Sequence, residues 1–348
     1  METPKKSHAG SISFLVVILI VVVLLLYLSP NFSLRNFFSP KQSTSTFVQN
    51  PSGGSANVTS HVEITYPSNY AELANYSLTI INQNRTSQGL SPVILSTIPS
   101  GQQHADSMLQ NNYFSHWDIQ GFKPYMRYSL LNGTGFVEEN VAYEYAGVPR
   151  FTSTQSVENA INSLEWQMMN NDSACCSNGH RNNILNVFHN RVSIGIAYSS
   201  TYVYFVEDFE TYLADLSTPI SQGGTVTLQG NTSQTLSPSS VEIYFDATPT
   251  SITPAVLNSV YDTPYNSGTF LGGVVPPCNS IFGYCQRFTQ GITIQASTWE
   301  VKTSAIDIQF SLANFINNSG AGVYTVYLTQ GSTTTPEYLT SISVFVSG

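Results

Sequence analysis

The chain has 348 residues and a formal net charge of −9, with 12 Lys and Arg against 21 Asp and Glu. Only 9% of the residues are charged, and no basic cluster follows the N-terminal segment. Because phosphate binding requires clustered Lys and Arg, this composition excludes nucleic acid as a partner. The length is sufficient for an anchor and two domains of ordinary size.

The N-terminal segment contains an almost unbroken apolar run over residues 12–28. A helix with a rise of about 1.5 Å per residue could nearly cross a hydrocarbon core of about 30 Å with this run. Lys5 and Lys6 precede it, so the positive-inside rule predicts residues 1–11 in the cytoplasm and the bulk of the chain outside the cell. A cleaved signal peptide is the alternative, but the run is long for that role. We therefore predict an uncleaved, single-pass transmembrane signal anchor in the cell membrane.

Residues 29–65 are rich in Ser, Thr, Asn, Gly and Pro and show no apolar period, which predicts a flexible stalk. An excess of Asn-x-Ser/Thr sequons is consistent with a glycosylated exterior protein. The sequons lie at Asn31, Asn57, Asn75, Asn84, Asn132, Asn171, Asn231 and Asn317.

The four cysteines fall into two close pairs. Cys278 and Cys285 bracket a short loop, and an oxidising exterior favours a disulfide between them. Cys175 and Cys176 are adjacent, with Cα atoms about 3.8 Å apart, so a bond between them would be strained. Two free thiols, or bonds to other cysteines, are the alternatives. A zinc site formed with His180 is disfavoured, because adjacent cysteines are awkward tetrahedral ligands.

The segment over residues 66–215 begins with helices and ends with strands. Apolar residues recur at helical spacing in several stretches, with Gly and Pro at their ends. The predicted helices begin near residues 68, 99, 157 and 179. Residues 191–198 and 202–209 alternate between apolar and polar, which predicts a hairpin of strands. Helices followed by strands indicate a compact α+β domain.

Residues 216–348 show no persistent helical period. Short β-rich runs are instead separated by Gly, Pro, Asn and Ser. The runs cover residues 225–228, 241–245, 292–295, 306–312, 323–328 and 342–346. Their spacing predicts an all-β antiparallel sandwich, and the immunoglobulin-like arrangement is one such fold.

Three short motifs of the middle segment carry side chains suited to metal binding or proton transfer. The first motif ends in His116, the second begins with Glu138-Glu139-Asn140, and the third contains His180 after a glycine. A neutral imidazole can offer one lone pair to zinc, and a carboxylate can complete or orient the shell. The same groups could act as acid and base without a metal, because histidine titrates near neutral pH.

The order and spacing of these motifs resemble the CAP superfamily, which includes the cysteine-rich secretory proteins, antigen 5 and the pathogenesis-related proteins. The Arg that follows Gly-His is similar to the prokaryotic, SCP-type branch. The resemblance implies an α/β/α sandwich with a central cleft, lined by two histidines and one or two acids, that holds a divalent metal in several members. It is carried by residues 81–90, 104–108, 113–116, 139–140, 179–185, 194–197 and 208–209.

Carried over position by position, the resemblance implies His116, Glu139 and His180 as the ligands of a divalent metal such as zinc. Three further cleft candidates are His104, Glu138 and Asn140. His104 lies on a mostly apolar helix face, where a buried structural histidine is the alternative.

The second acid of the family falls on Gln167 or Met169, and Glu165 is about one helical step away. The full set of two acids and two histidines is therefore incomplete in this chain. His189 matches no motif, and we expect it at the surface.

The predicted function is that of a membrane-anchored extracellular CAP-domain protein, whose His/Glu cleft binds a divalent metal and whose surface binds a ligand or a protein partner. One alternative is an extracellular hydrolase of peptides or glycans that uses a metal or acid–base catalysis. Another is a structural or adhesive surface protein. No Ser or Cys nucleophile motif accompanies the histidines, so the sequence leaves the question of catalysis open.

Overall fold

A computed structural model describes residues 46–47, 64–218, 220, 224–259, 264–278, 285–332 and 335–348. Residues 45–348 form one compact unit that mixes helices with several largely antiparallel sheets. Within the described ranges, no helix combines the length and the apolar character needed to cross a membrane. The anchor predicted at residues 12–28 lies outside these ranges, as do Asn31 and Asn57.

The helices and strands are numbered here in chain order. The helices are α1 (Tyr70–Ser87), α2 (Ser100–Asn111), α3 (Pro124–Leu130), α4 (Thr154–Asn170), α5 (Ser173–Cys176), α6 (Gly179–Ile184), α7 (Pro254–Leu257) and α8 (Ala313–Ser319). The strands of the first half are β1 (Thr46–Phe47), β2 (Ile94–Leu95), β3 (Phe136–Tyr145), β4 (Arg191–Tyr198) and β5 (Tyr202–Thr211). The later strands are β6 (Ala214–Ser217), β7 (Thr225–Thr232), β8 (Pro238–Asp246), β9 (Thr269–Val275), β10 (Ile292–Gln295), β11 (Thr298–Lys302), β12 (Ala305–Ser311), β13 (Gly322–Ser332), β14 (Thr335–Tyr338) and β15 (Ile342–Ser347).

The first half of the described chain places helices on both faces of a four-stranded sheet. The strand order is β2-β4-β5-β3, with β3 at one edge. Helices α1 and α4 pack on one face, where Leu73 and Ile161 share a core with Phe205. Helix α2 packs on the other face, where Met108 shares a core with Val206. Because successive strand residues point to opposite faces, Phe205 and Val206 serve different layers, as the predicted α/β/α order requires.

The second half builds two sheets that enclose one apolar core. One sheet has the order β1-β15-β13-β8-β9-β10, with β14 beside β13, and the other has the order β11-β12-β7-β6. Ile243 and Val326 of the first sheet share the core with Leu228 and Ile308 of the second. The predicted sandwich is present with two departures from an all-β antiparallel fold. Strands β9 and β10 are parallel, and the segment also contains the short helices α7 and α8.

Two residues of the predicted flexible stalk belong to this sandwich. Thr46 and Phe47 pair with Ser347 and Val346 of β15. The sequence of a Ser/Thr-rich segment does not reveal a short edge strand such as β1. Its pairing depends on a partner strand at the far end of the chain.

Helix α3 and strand β3 are not among the helices and strands that the sequence predicted. Pro124 stands at the first position of α3, where its missing N–H costs nothing and its fixed φ suits a helix. Strand β3 carries three glutamates, yet it pairs along its whole length with β5. Its aromatic residues and valines favour a strand, whereas Glu138, Glu139 and Asn140 interrupt the apolar pattern that would reveal one in the sequence.

Helix α3 and the residue before it join the two halves through polar contacts. The Lys123 ammonium lies 2.7 Å from Asp246 Oδ1, and Tyr125 donates its hydroxyl hydrogen to Asp246 Oδ2 at 2.6 Å. Ser129 Oγ accepts from the backbone N–H of Ser343 at 2.9 Å, and the carbonyl oxygen of Ser341 lies 3.1 Å from the same hydroxyl. Because buried polar groups require their partners, these contacts hold the halves in one orientation.

We expect the substitution Asp246→Ala to lower the free energy of unfolding by about 3 kcal/mol, because it leaves the buried Lys123 ammonium without its counter-ion. Denaturant titration of the full chain measures this change. Lys302→Met is the matched control, since the Lys302–Glu300 pair is exposed and should leave stability unchanged. Equal stability of Asp246→Ala and the unsubstituted chain would contradict a role for this contact in docking.

Candidate functional site

Glu139 is the centre of a buried polar cluster. Its Oε1 accepts a hydrogen bond from His116 Nδ1 at 2.9 Å, and its Oε2 accepts from His104 Nδ1 at 2.8 Å and from Arg127 Nη2 at 2.5 Å. Burial on its own would raise the pKa of Glu139, but Arg127, His104 and His116 together hold it well below the usual range of a carboxyl group. Glu139 is therefore ionised, and both of its oxygens are engaged.

The charge of Glu139 fixes the tautomers of the two histidines. An ionised carboxylate only accepts hydrogen bonds, so each imidazole presents an Nδ1–H to Glu139, and the neutral form of His116 keeps its lone pair on Nε2. Arg127 Nη2 also lies 2.9 Å from His104 Nδ1. The Nε2 of His104 is buried without a hydrogen-bond partner, and burial and the Arg127 charge lower the pKa of His104. His104 is thus a neutral structural residue. The side chain of His116 is 13% exposed, the largest value in the cluster, so His116 is the member that a ligand can reach.

Tyr265, from the β-rich half, packs against this cluster. Its hydroxyl oxygen accepts a hydrogen bond from the backbone N–H of Glu139 at 3.0 Å, and its ring centroid lies 5.0 Å from that of His116. Burial and the charges of Glu138 and Glu139 raise the pKa of Tyr265 well above its usual value, so the phenol stays neutral. Sequence reasoning missed Tyr265, because no motif surrounds it and only the docking of the two halves brings it here.

His180 has a carboxylate partner of its own. Its Nδ1 donates to Asp172 Oδ1 at 2.6 Å, and Asp172 Oδ2 accepts from the backbone N–H of Arg181 at 3.2 Å. Ser177 and Asn178 turn the chain between α5 and α6 with φ values of 52° and 65°. This turn in the left-handed region, which asparagine tolerates better than most residues, places Asp172 beside His180. The His180 side chain is 17% exposed, whereas Asp172 is buried.

The structure brings together two of the three predicted metal ligands and gives the third a separate partner. His116 meets Glu139, while His180 meets Asp172. Among the residues described, the ligand atoms of His116, Glu139 and His180 do not all lie within 4.8 Å of one another. Glu139 was predicted as a direct ligand, but its contacts assign it to the support of His116, because both of its oxygens already accept hydrogen bonds.

Strand alternation explains this division. Glu139 points to the face that carries α2 and α3, and Asn140 points to the opposite face. Asn140 Nδ2 donates to Glu207 Oε2 at 3.0 Å and to the backbone carbonyl of His180 at 3.2 Å. Since β3 is the edge strand of its sheet, the side chain of His116 and the backbone of His180 contact neighbouring residues of the same edge strand on its two faces.

One described group of side chains places three metal-ligand atoms within 4.8 Å of one another, namely Asp172, Cys176 and His180. Cys176 is disulfide-bonded, and its sulfur is therefore not the thiolate that binds metals. In this state the group offers an imidazole and a carboxylate. The disulfide predicted between Cys278 and Cys285 is present, with Cα atoms 5.5 Å apart.

Glu165 is about one helical step from the position that matches the family's second acid. Its side chain lies beneath the sheet beside Glu207. Asn84 Nδ2 donates to Glu165 Oε1 at 2.7 Å, and Asn140 holds Glu207. Burial raises the pKa of both acids, and the neighbouring Glu165 carboxylate raises that of Glu207 further. Two adjacent carboxylates cannot both ionise without a large energetic cost, so Glu207 retains its proton. Glu165 is therefore part of the buried interior and not of the cleft.

The six sequons that lie within the described residues fall into two groups. The side chains of Asn75, Asn132, Asn171, Asn231 and Asn317 are exposed. The amide nitrogen of Asn84 is instead engaged with Glu165, and attachment of a glycan to that nitrogen would disrupt the contact.

The expectation that His189 lies at the surface is wrong, because its side chain is buried. Its Nε2 donates to Glu138 Oε2 at 3.1 Å, and its Nδ1 accepts from Thr211 Oγ1 at 3.1 Å. Buried Arg85 fixes the adjoining loop by donating to the carbonyls of Ile184, Asn186 and His189 at 2.6, 3.0 and 3.0 Å. Glu138 therefore belongs to a cluster separate from that of Glu139. An arginine in an otherwise uncharged stretch of α1 was the available signal for this structural role.

No family model and no curated protein matches this chain. Among solved structures, the CAP domain of enterococcal PrgA is 14% identical to it, with a TM-score of 0.30, and the match covers 40% of this chain and 60% of that one. An extracellular protein containing an SCP domain from Bacillus anthracis is 21% identical, with a TM-score of 0.29, and covers 42% of this chain and 45% of that one. The chain thus spans less than two thirds of either structure. Both of these proteins contain a domain of the CAP or SCP type, which the motifs of the middle segment resemble.

We expect Arg127→Met to raise the pKa of His104, because it removes the neighbouring cation that lowers that pKa. It should also lower the free energy of unfolding by about 3 kcal/mol, since Glu139 loses its buried counter-ion. Imidazole resonances followed by NMR across pH, together with denaturant titration, measure both effects. The double variant Arg127→Met/Glu139→Gln should recover part of the stability. A pKa of His104 that falls or stays constant would contradict the proposed charge balance.

The acid pair predicts a pH dependence of stability. The pKa values of Glu165 and Glu207 are raised in the folded state, so the folded chain binds more protons than the unfolded chain above about pH 4.3, and stability falls as pH rises through this range. We expect Glu207→Gln to lose less thermal stability than the unsubstituted chain between pH 5 and pH 8. The exposed Glu300→Gln serves as the control and should keep the original profile. Parallel pH profiles for Glu207→Gln and the unsubstituted chain would show that the pair does not share a proton.

Proposed function

We propose that this protein is an anchored extracellular binding protein that holds a divalent cation between His116 and His180. One observation carries the proposal: each histidine is partly exposed and donates its Nδ1–H to a buried carboxylate, Glu139 in one case and Asp172 in the other. Histidines that bind metals almost always donate their second ring N–H to such a partner, which fixes the tautomer and makes the other nitrogen more basic.

The position of the two histidines at the β3 edge supports a shared site. Asn140 follows Glu139 in β3 and donates to the backbone carbonyl of His180, so the segments of both histidines contact adjacent residues of one strand. Two neutral imidazoles form a donor set suited to zinc. When bound, the ion would supply open coordination positions that an oxygen of a ligand could fill.

The arrangement favours binding over hydrolysis. Glu139 has both oxygens engaged with three donors, and Asp172 accepts from His180 and from the backbone of Arg181. A general base must be within reach of the proton that it removes, and neither carboxylate is free for that role. Tyr265 also packs against the Glu139 cluster.

Export and anchoring belong to the proposal and are supported by the sequence. The apolar run over residues 12–28 follows two lysines, as in an anchor that leaves the bulk of the chain outside. The Cys278–Cys285 disulfide suits an oxidising compartment. The partners would then be the membrane, through the N-terminal helix, and an extracellular ligand or protein. The negative charge of the chain disfavours nucleic acid.

Zinc titration of the full chain in mild detergent by isothermal calorimetry tests the proposal. We expect His116→Ala and His180→Ala each to weaken zinc binding at least about tenfold, because each removes a ligand. Glu139→Gln and Asp172→Asn should weaken it by roughly tenfold or more through the loss of the supporting carboxylate. Glu300→Gln, an exposed carboxylate of the β-rich half, is the control and should bind zinc normally.

Two results would overturn the proposal. Zinc affinity that is unchanged in both histidine variants would place the metal elsewhere or exclude it. Hydrolysis of a peptide or glycan panel that is lost in both histidine variants would instead establish the enzyme alternative.

A further inference from the structure

Four tyrosines form an ordered array on the β3–β5 hairpin. Tyr143 and Tyr145 of β3 lie directly opposite Tyr204 and Tyr202 of β5 in the strand register. The ring centroids of the two cross-strand pairs are 6.1 Å and 4.6 Å apart, and those of Tyr202 and Tyr204 are 5.9 Å apart with planes only 9° from parallel. The two tyrosines of each strand are two residues apart, so all four side chains lie on the same face of the sheet.

The array has a buried base and an exposed front. Tyr204 is buried in the core beneath α2, whereas Tyr143 and Tyr145 are 43% and 57% exposed. A tyrosine ring offers a large rigid contact area with few rotatable bonds, together with a hydroxyl group for hydrogen bonding. Aromatic rings that are already packed against one another lose little further conformational entropy when a ligand binds. The tyrosine array is therefore preorganised for contact.

Charge at the array restricts the chemistry of a partner. The four rings are uncharged, and Glu144, between Tyr143 and Tyr145 in the strand, points to the opposite face, where it pairs with Arg150 at 2.6 Å. Nucleic acids and anionic membranes require Lys and Arg that are not paired in this way. A charged peptide would also find no complementary charge among these rings.

The rim of the array supplies neutral hydrogen-bonding groups. The β4–β5 turn contains Ser199, Ser200 and Thr201, of which Ser200 is exposed. Ser199 Oγ accepts from the backbone N–H groups of Thr201 and Tyr202 at 3.2 and 3.1 Å, which fixes the turn beside the first ring of β5. Hydroxyl groups next to aromatic faces complement a ligand that has apolar C–H faces and many neutral hydroxyls. A sugar chain has this chemistry, with rings that pack on aromatic faces and hydroxyls that bond at the edges.

We propose that the tyrosine array binds an uncharged glycan, and that its preferred ligands are extended β-1,4-linked chains. An extended chain presents several rings in succession, so neighbouring sugars can contact Tyr145 and Tyr143 together. This site is independent of the histidine site, because none of its members contacts His116, His180 or their carboxylates in the described contacts.

Calorimetric titration of the full chain with the hexamers of β-1,4-linked N-acetylglucosamine and β-1,4-linked glucose tests this inference. The α-1,4-linked glucose hexamer serves as the ligand control. We expect binding of at least one β-linked hexamer, a loss of about tenfold or more in affinity for Tyr145→Ala and Tyr143→Ala, and retention of most affinity in Tyr145→Phe, which keeps the ring.

Trp166→Ala provides the matched control, because Trp166 is equally exposed at 58% but lies on α4 outside the array. Trp166→Ala should bind the hexamers as the unsubstituted chain does. His116→Ala should also bind them normally, and this result would distinguish the tyrosine array from the zinc site. Absence of binding to both β-linked hexamers would overturn the inference. Binding that is unaffected by both tyrosine substitutions, or equally reduced by Trp166→Ala, would also overturn it, as would a preference for the α-linked hexamer.

Discussion

The buried contact between Glu139 and Arg127 is the interaction on which the rest of the structure depends. An ionised carboxylate can remain in the interior only with a cation and further donors, and Arg127, His104 and His116 supply them. Helix α3 carries Arg127 toward this carboxylate, while Tyr125 and the preceding Lys123 bind Asp246 of the β-rich half. One short helix thus orients the candidate site and docks the two halves.

Strand β3 distributes the polar chemistry of the molecule by simple alternation. Glu138 joins His189, Glu139 joins His116, and Asn140 joins the buried Glu207, although the three residues are consecutive. Farther along the same strand, Tyr143 and Tyr145 form the exposed front of the tyrosine array. Because β3 lies at an edge of its sheet, groups from both faces can reach solvent beside it. A strand with this composition is better suited to binding than to forming an apolar core.

The two partly exposed histidines have the same kind of hydrogen-bond partner even though they lie on different elements. In each, a buried acid accepts a hydrogen bond from Nδ1, so the lone pair of the neutral imidazole is on Nε2. The carboxylates thus orient the imidazoles, and a bound metal would be coordinated by the imidazole nitrogen atoms. Tyr265 adds a residue from the β-rich half to the surroundings of His116, so the site is completed by a segment far away in sequence.

The sequence by itself determined the helices near residues 70, 100, 154 and 179, the β4–β5 hairpin, and six of the later strands, because local apolar periods encode them. It also identified His116, Glu139 and His180 as residues of interest through motif order. Only the tertiary structure decided that Glu139 supports His116, that Asp172 supports His180, that His189 is buried, and that Tyr265 packs against the cluster. These outcomes depend on which face of a strand each residue occupies and on contacts between distant segments, and a local pattern contains neither.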